Sequence, residues 1–129
     1  MDVLEYLLRA PPLAKPVSDI QAWMGRIVAC PFSKPFDRAL WAGFEADRLG
    51  YAFAGGYRAA LTSLFSWAAQ ATSAPAHLWP SIDVRLSLAA TEAKGAHPRA
   101  IATKLVAEGE SLLLDGEKTF ATLASAADE

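Results

Sequence analysis

The sequence predicts an α+β protein in which a helical domain, residues 1–80, precedes a partial β domain, residues 81–129. Over the first two thirds of the chain, apolar side chains recur at three- to four-residue intervals, as on the buried face of a helix. From Ile82 onward they alternate with polar side chains, as in a half-buried strand. Because the helices precede the strands instead of alternating with them, an α-helical bundle of about four helices followed by a small antiparallel sheet is predicted.

The first predicted helix is short. Asp2 and Glu5 have the spacing of a capping box, in which two side chains satisfy the free N–H groups of a helix start. Its apolar face comprises Leu4, Leu7 and Leu8. Pro11 and Pro12 end it, because proline cannot donate the backbone hydrogen bond that a continuing helix needs.

Three longer helices are predicted next, and Ser18 with Gln21 repeats the capping-box spacing before the first of them. Their apolar faces are, in order, Ile20, Trp23, Met24, Ile27 and Val28; Phe36, Leu40, Trp41 and Phe44; and Phe53, Tyr57, Leu61, Leu64, Phe65 and Ala68. We expect these faces to form the core. In the last helix, Gly55-Gly56 indicates a close helix contact or a kink, because no strand precedes it and no GK[ST] follows, as a phosphate loop requires.

Four strands are predicted after the helices, over residues 82–88, 102–106, 111–114 and 118–123. The Glu108-Gly109-Glu110 segment supplies a turn between the second and third strands. Asp115-Gly116 is typical of a two-residue hairpin turn, and it predicts a second hairpin between the third and fourth strands.

Composition excludes several classes of function. The chain has 12 basic and 14 acidic residues, so it lacks the basic surplus of a nucleic-acid-binding protein. The single cysteine, Cys30, excludes an internal disulfide framework, and the acidic start lacks the basic residues of an export signal, so a cytoplasmic location is expected. Residues 59–82 carry no charge, but Pro75 and Pro80 interrupt them, which favours a buried helix and a loop over a membrane span.

Titratable side chains show no catalytic or metal-binding pattern. His77 and His97 lie 20 positions apart in a chain with one cysteine, which is not the spacing of a metal site. Glu92 lies close to Lys94 in a predicted loop. A lone glutamate beside a lysine is typical of a solvated loop, and no catalytic residue is assigned.

One segment carries motifs in a specific order. Thr91-Glu92 is followed by Gly95, then by Thr103 in a predicted strand, and finally by the run DGEKTFAT over residues 115–122. Residues 88–124 thereby resemble the start of the β domain of the acyl-CoA dehydrogenase family, in which a T-E loop, a T-x-A strand and an N-G-x-K-x-[FW]-I-[TS]-N hairpin occur in this order. The preceding helices resemble the family's N-terminal helical domain only in kind.

The resemblance implies FAD as cofactor and an acyl-CoA thioester as substrate. Carried over by position, Thr91 and Thr122 are the expected hydrogen-bonding contacts to the flavin, and Phe120 is expected to pack near its ring. Donors at the edge of the isoalloxazine ring tune its reduction, which is a role that hydroxyl groups can fill.

The sequence also departs from the family pattern. His97-Pro98 stands where the family has Ser-Asp, and Leu123 stands where it has Asn. The family's general base lies in a C-terminal helical domain that these 129 residues do not reach. We therefore expect a truncated flavoprotein fragment that is not competent alone in α,β-dehydrogenation.

Two alternatives stay open: a non-catalytic interaction or regulatory module derived from the same family, and an unrelated α+β domain. The mean hydropathy of +0.18 is high for a short chain, which buries a smaller share of its surface than a long one. It predicts exposed apolar surface that is covered by self-association, as a homodimer or a larger oligomer.

Overall fold

The computed structural model describes residues 2–10, 15–73, 75, 79, 84–95 and 97–128. Among these residues, four α-helices precede one two-stranded antiparallel sheet, so the α+β prediction is confirmed. The elements are α1 (Val3–Arg9), α2 (Ile20–Val28), α3 (Pro35–Glu45), α4 (Leu49–Ala71), β1 (Lys104–Glu108) and β2 (Ser111–Asp115). Single 3₁₀ turns occur at Pro98–Ala100 and Ala124–Ala126.

The chain forms two compact units. The helical unit comprises Met1–Leu86 and Ser125–Glu129, and the hairpin unit comprises Ser87–Ala124. The sequence places the boundary near residues 72–81, and of these the structure describes 72, 73, 75 and 79.

Aspartate side chains cap the first two helices. Asp2 accepts a hydrogen bond of 2.8 Å from the Leu4 amide, so Asp2 is the cap of α1 as predicted, although it bonds the Leu4 amide and not the Glu5 amide of a capping box. At α2 the cap is Asp19, which accepts from the Ala22 amide at 2.8 Å, and not Ser18. The predicted Ser18–Gln21 capping box is therefore wrong by one residue, because the Ser18 hydroxyl donates to the Asp19 carboxylate instead.

The core of the helical unit is centred on α2. Trp23 is fully buried, stacks on Tyr51 with ring centroids 5.7 Å apart and donates its indole N–H to the Tyr51 carbonyl at 2.8 Å. Met24 and Ile27 are buried beside it in sequence, as predicted. Arg38, on α3, is also buried and donates to the Ile27 and Phe32 carbonyls at 3.0 and 2.9 Å, so its charge is well solvated by the backbone.

Helices α3 and α4 pack closely through small residues. A Cβ on Gly55 would overlap the Cβ of Ala42, so the close helix contact predicted at Gly55-Gly56 is confirmed. The buried face of α4 is Ala54, Gly55, Arg58, Ala59 and Leu61. The predicted aromatic face is wrong in part, since Phe53 is 60% exposed and Leu64 is 46% exposed. Large side chains do not fit where two helix backbones approach this closely.

The charge-free stretch at residues 59–82 is helical to Ala71, and much of its remainder, including His77, lies outside the described residues. The Arg58 guanidinium, buried in α4, donates to the Val84 carbonyl at 2.6 Å. No helix in the described ranges combines the length and the hydropathy needed to cross a membrane.

The hairpin unit contains fewer strands than the sequence predicts. The strands predicted at 102–106 and 111–114 form as β1 and β2, with Leu105 opposite Leu114 and with Gly109 (φ 61°) in the turn. Residues 118–123 and the described part of 82–88 do not form strands, so these two predictions are wrong. Two hydrogen bonds nevertheless join residues 87–91 to residues 119–122 in antiparallel order, from the Thr119 amide to the Thr91 carbonyl and from the Ser87 hydroxyl to the Thr122 carbonyl.

Candidate functional site

Glu92 is the one buried side chain among the described residues of the hairpin unit, at 7% exposure. It lies in a tight loop in which the Gly95 amide donates to the Glu92 carbonyl at 2.8 Å. Gly95 has a φ of 112°, a backbone conformation that residues with a Cβ adopt only at a large steric cost. The loop thereby turns the Glu92 carboxylate inward, and the prediction that this side chain is solvated is wrong.

Four donors converge on the Glu92 carboxylate. They are the backbone amides of Ala102 and Thr103 at 2.6 and 3.0 Å, the Thr103 hydroxyl at 2.5 Å and the Lys118 ammonium at 2.6 Å. We call Glu92, Ala102, Thr103 and Lys118 the Glu92 cluster. It joins the loop after Thr91, the residues before β1 and the segment after β2. A carboxylate with this many donors is a strong local crosslink, because each bond is assisted by charge.

The cluster keeps Glu92 ionised. The Lys118 ammonium has the largest effect, followed by the Thr103 hydroxyl and the Ala102 amide, and together they lower the pKa of Glu92 to about 2. At neutral pH Glu92 is an ionised carboxylate that already accepts four hydrogen bonds. It is therefore a poor general base, since protonation would break the bonds that hold it.

Gly116 is required for a close approach and not for a turn. A Cβ at this position would lie 2.7 Å from the Thr103 Cβ and 2.8 Å from its Cα, both far inside normal contact. The predicted hairpin turn at Asp115-Gly116 is therefore wrong. The glycine instead lets the chain after β2 pass against Thr103 and deliver Lys118 to the Glu92 carboxylate.

A cavity of about 620 Å³ opens beside the cluster, which is within the size range of small-molecule sites. Its charged lining comprises Glu92, Lys94, Lys104, Asp115, Glu117 and Lys118. Three cations and three carboxylates balance one another, so the lining shows no preference for one sign of charge.

The three residues expected to contact a flavin lie on two adjacent segments of the hairpin unit, outside the lining of this cavity. Thr91 and Thr122 are half-buried, and their carbonyls accept hydrogen bonds from Thr119 and Ser87. Their hydroxyls make no hydrogen bond within the described part of the chain. Phe120 is 59% exposed. The Thr91 and Thr122 hydroxyls and the Phe120 ring are thus available on two adjacent backbone segments.

Leu123, which follows Thr122, has a φ of 63° and is the one non-glycine residue with positive φ in the described ranges. Leucine is rare in this left-handed region, whereas asparagine tolerates it.

Sequence reasoning missed the Glu92 cluster. Glu92 and Lys118 lie 26 positions apart, and the nearer Lys94 is the obvious partner along the chain. The opposite charges of Glu92 and Lys118 are a weak signal that the segment before β1 meets the segment after β2.

Among the described residues, no group of three or more His, Cys, Asp or Glu side chains is placed to hold a metal ion. Comparisons of the chain with protein-family models, with curated proteins and with solved structures find no match.

Proposed function

We propose that the hairpin unit is the flavin-contacting part of an acyl-CoA dehydrogenase-like flavoprotein. The observation that carries this proposal is the Glu92 cluster. The residues that carry the resemblance are scattered over the segment from Thr91 to Thr122, and the cluster draws Glu92, Thr103 and Lys118 to one point. A chance likeness of separate short motifs gives no reason for their members to bond to one another.

The backbone after Thr122 adds independent support. Leu123 is held at a φ of 63°, where asparagine is better tolerated than leucine, and asparagine is the residue of the family pattern. The local geometry is therefore compatible with the family motif even where the side chain differs from it.

The available groups suit FAD. Thr91 and Thr122 offer hydroxyls with no hydrogen bond to the described residues, which can donate to or accept from the edge of an isoalloxazine ring. Phe120 offers an exposed aromatic surface against which a planar ring can pack. When bound, FAD would supply the hydride acceptor for α,β-dehydrogenation of an acyl-CoA thioester.

None of the described residues is assigned as the general base. Glu92 is committed to four donors, so its role is to position the loop that carries Thr91. His97-Pro98 replaces the family's Ser-Asp, which places acyl-CoA binding with other parts of the active protein. We therefore propose that this chain binds the cofactor and that it is not competent alone.

Titration of FAD with the purified chain tests this proposal, with flavin fluorescence as the readout. We expect saturable quenching. Since one aromatic contact or hydrogen bond is worth about 1 kcal/mol, we expect Phe120→Ala to weaken binding by about fivefold and the double change Thr91→Val/Thr122→Val, which removes two hydrogen bonds, by about thirtyfold. Phe36→Ala is the matched control, because Phe36 is a 73% exposed aromatic residue of the helical unit. Thr119→Val is the control for the hydroxyls. Absence of saturable binding, or equal effects of the controls, would contradict the proposal.

A second candidate function is a non-catalytic interaction module that works by self-association, in a reducing compartment such as the cytoplasm. It is favoured by the hairpin, whose ten strand residues are all exposed. Five of these are large and apolar: Leu105, Val106, Leu112, Leu113 and Leu114. An isolated two-stranded hairpin is marginally stable in water, so a covering partner is expected. Sedimentation over a range of concentrations tests this, and a monomer throughout would contradict it.

A further inference from the structure

The outer edge of β1 has the features of a self-pairing strand. In the described part of the chain, residues 104–108 make no backbone hydrogen bond other than those to β2. All five of them are exposed. A row of unpaired N–H and C=O groups on an exposed edge is a template for pairing with another strand.

The sequence of β1, KLVAE, is charge-complementary to itself in antiparallel order. A two-fold axis through Val106 sets Lys104 of each copy opposite Glu108 of the other and sets Val106 opposite its own counterpart. Leu105 then lies opposite Ala107. Opposite charges placed directly across two strands stabilise the pairing, and each chain contributes one member to both ion pairs.

The same register extends coherently across the hairpin. On one face of each hairpin, Lys104 lies opposite Asp115 and Glu108 lies opposite Ser111. In the paired sheet, Lys104 of each copy therefore lies between its own Asp115 and the Glu108 of the other copy. On the other face, Leu105 with Leu114 and Ala107 with Leu112 form apolar pairs. Joining two copies through β1 therefore makes a four-stranded sheet with one continuous apolar face, which is more stable than two separate hairpins.

The outer edge of β2 is less suited to the same pairing. Three carboxylates, Glu110, Asp115 and Glu117, lie on or next to this strand, and its sequence SLLLD contains no cation. A two-fold axis through Leu113 sets Asp115 opposite Ser111 and brings acidic groups of the two copies together. Like charges brought close across strands destabilise pairing.

We propose that a second copy of this chain pairs with the outer edge of β1, in antiparallel order about Val106. The inference rests on the self-association proposed above, specifies its surface, and is independent of flavin binding.

Charge reversal tests the pairing by sedimentation at low salt. Lys104→Glu and Glu108→Lys each replace two ion pairs with two like-charge pairs, and we expect each to weaken the dimer by about tenfold. An equimolar mixture of the two variants restores both ion pairs in a mixed dimer, which native mass spectrometry identifies by its mass. Glu110→Lys, in the turn, is the matched control and is expected to leave the dimer unchanged.

Cysteine cross-linking gives a test that does not depend on charge. Val106→Cys places two thiols across the two-fold axis, so oxidation is expected to yield a disulfide-linked dimer, whereas Leu113→Cys on β2 does not. Dimers that withstand both charge reversals, or a mixture that fails to restore dimers, would overturn the β1 surface alone. A wild-type chain that is monomeric at all concentrations would overturn self-association as well.

Discussion

The helical unit and the hairpin unit are stabilised by different kinds of side chain. In the helical unit, Trp23, Met24 and Ile27 are buried almost completely. In the described part of the hairpin unit, the buried side chain is a carboxylate, Glu92, while the leucines of β2 face solvent. The first unit is thus held by apolar burial, and the second by hydrogen bonds and one ion pair. Truncating an apolar side chain should therefore affect the helical unit most, and disturbing the Glu92 cluster should affect the hairpin unit most.

The largest effect is expected in the helical core. Trp23→Ala removes a fully buried side chain and its hydrogen bond to Tyr51, so it should lower the free energy of unfolding by about 3–5 kcal/mol. Urea denaturation followed by circular dichroism measures this. Trp67→Ala is the matched control, since Trp67 is 68% exposed on α4 and should change stability by less than about 0.5 kcal/mol. Equal effects of the two variants would contradict an apolar core centred on Trp23.

The next effect is expected at Gly116. Gly116→Ala places a Cβ 2.7 Å from the Thr103 Cβ, so the chain must move away from Thr103 at a cost of about 1–3 kcal/mol to the hairpin unit. Hydrogen exchange should report faster opening of β1 and β2, with the helices unchanged. Gly50→Ala serves as the control, because a Cβ there has no neighbour within 4 Å. Unchanged exchange in β1 and β2 would show that the close approach does not hold the unit together.

The Glu92 cluster predicts a pH dependence confined to the hairpin unit. Bonding lowers the folded-state pKa of Glu92 to about 2 from an ordinary value of 4.5, so the stabilisation is complete above about pH 4.5 and is lost as the pH falls toward 2. Protection of the Ala102 and Thr103 amides from exchange, relative to the intrinsic rate at each pH, should fall across this window. Glu92→Gln should remove that step, because a neutral amide does not titrate.

A similar carboxylate in the helical unit sharpens the comparison. Arg48 and the Val17 amide lower the pKa of Asp47 to about 2, so α4 should also weaken in the same acidic window. Asp47→Asn should remove the part of the helical unit's acid response that comes from Asp47, reducing that response, and leave that of Ala102 and Thr103 intact. Loss of both responses in one variant would contradict local control by each carboxylate.

The smallest effect is expected at Leu123, where the substitution should stabilise the hairpin unit. Leu123→Asn relieves a leucine held at a φ of 63°, and we expect a gain of about 0.5–1 kcal/mol. Leu88→Asn is the control, because Leu88 is a 46% exposed leucine without a positive φ, and no gain is expected there. Thermal unfolding of both variants measures the difference.

Much of the fold was predictable because its signals are local. The spacing of Trp23, Met24 and Ile27 predicts both the existence of α2 and its buried face, and Asp2 predicts the start of α1. The face of α4 was predicted less well. Large apolar residues such as Phe53 usually lie in a core, but here Phe53 is exposed. Ala42 approaches α4 so closely that Gly55 makes the contact instead.

The candidate site was harder to predict because its bonds are not local. Thr91, Phe120 and Thr122 come from an ordered set of motifs, and their hydrogen-bonded segments are adjacent in the structure. The Glu92 carboxylate is bonded by Lys118, and glycine is required at position 116 because Thr103 lies against it. In both pairs one residue precedes β1 and the other follows β2. A pattern along the chain carries at most a weak signal of such partners.

The amino-acid sequence is sufficient to specify four helices, the turn at Glu108-Gly109-Glu110 and their order, because periodicity, caps and turn residues act within a few positions of one another. Tertiary structure decided which of the four predicted strands form, since strand pairing depends on partners distant in the chain. It also turned Glu92 from an expected solvent-facing residue into the buried centre of the hairpin unit. The physical reason is that a carboxylate is buried only where several donors meet, and folding alone brings those donors together.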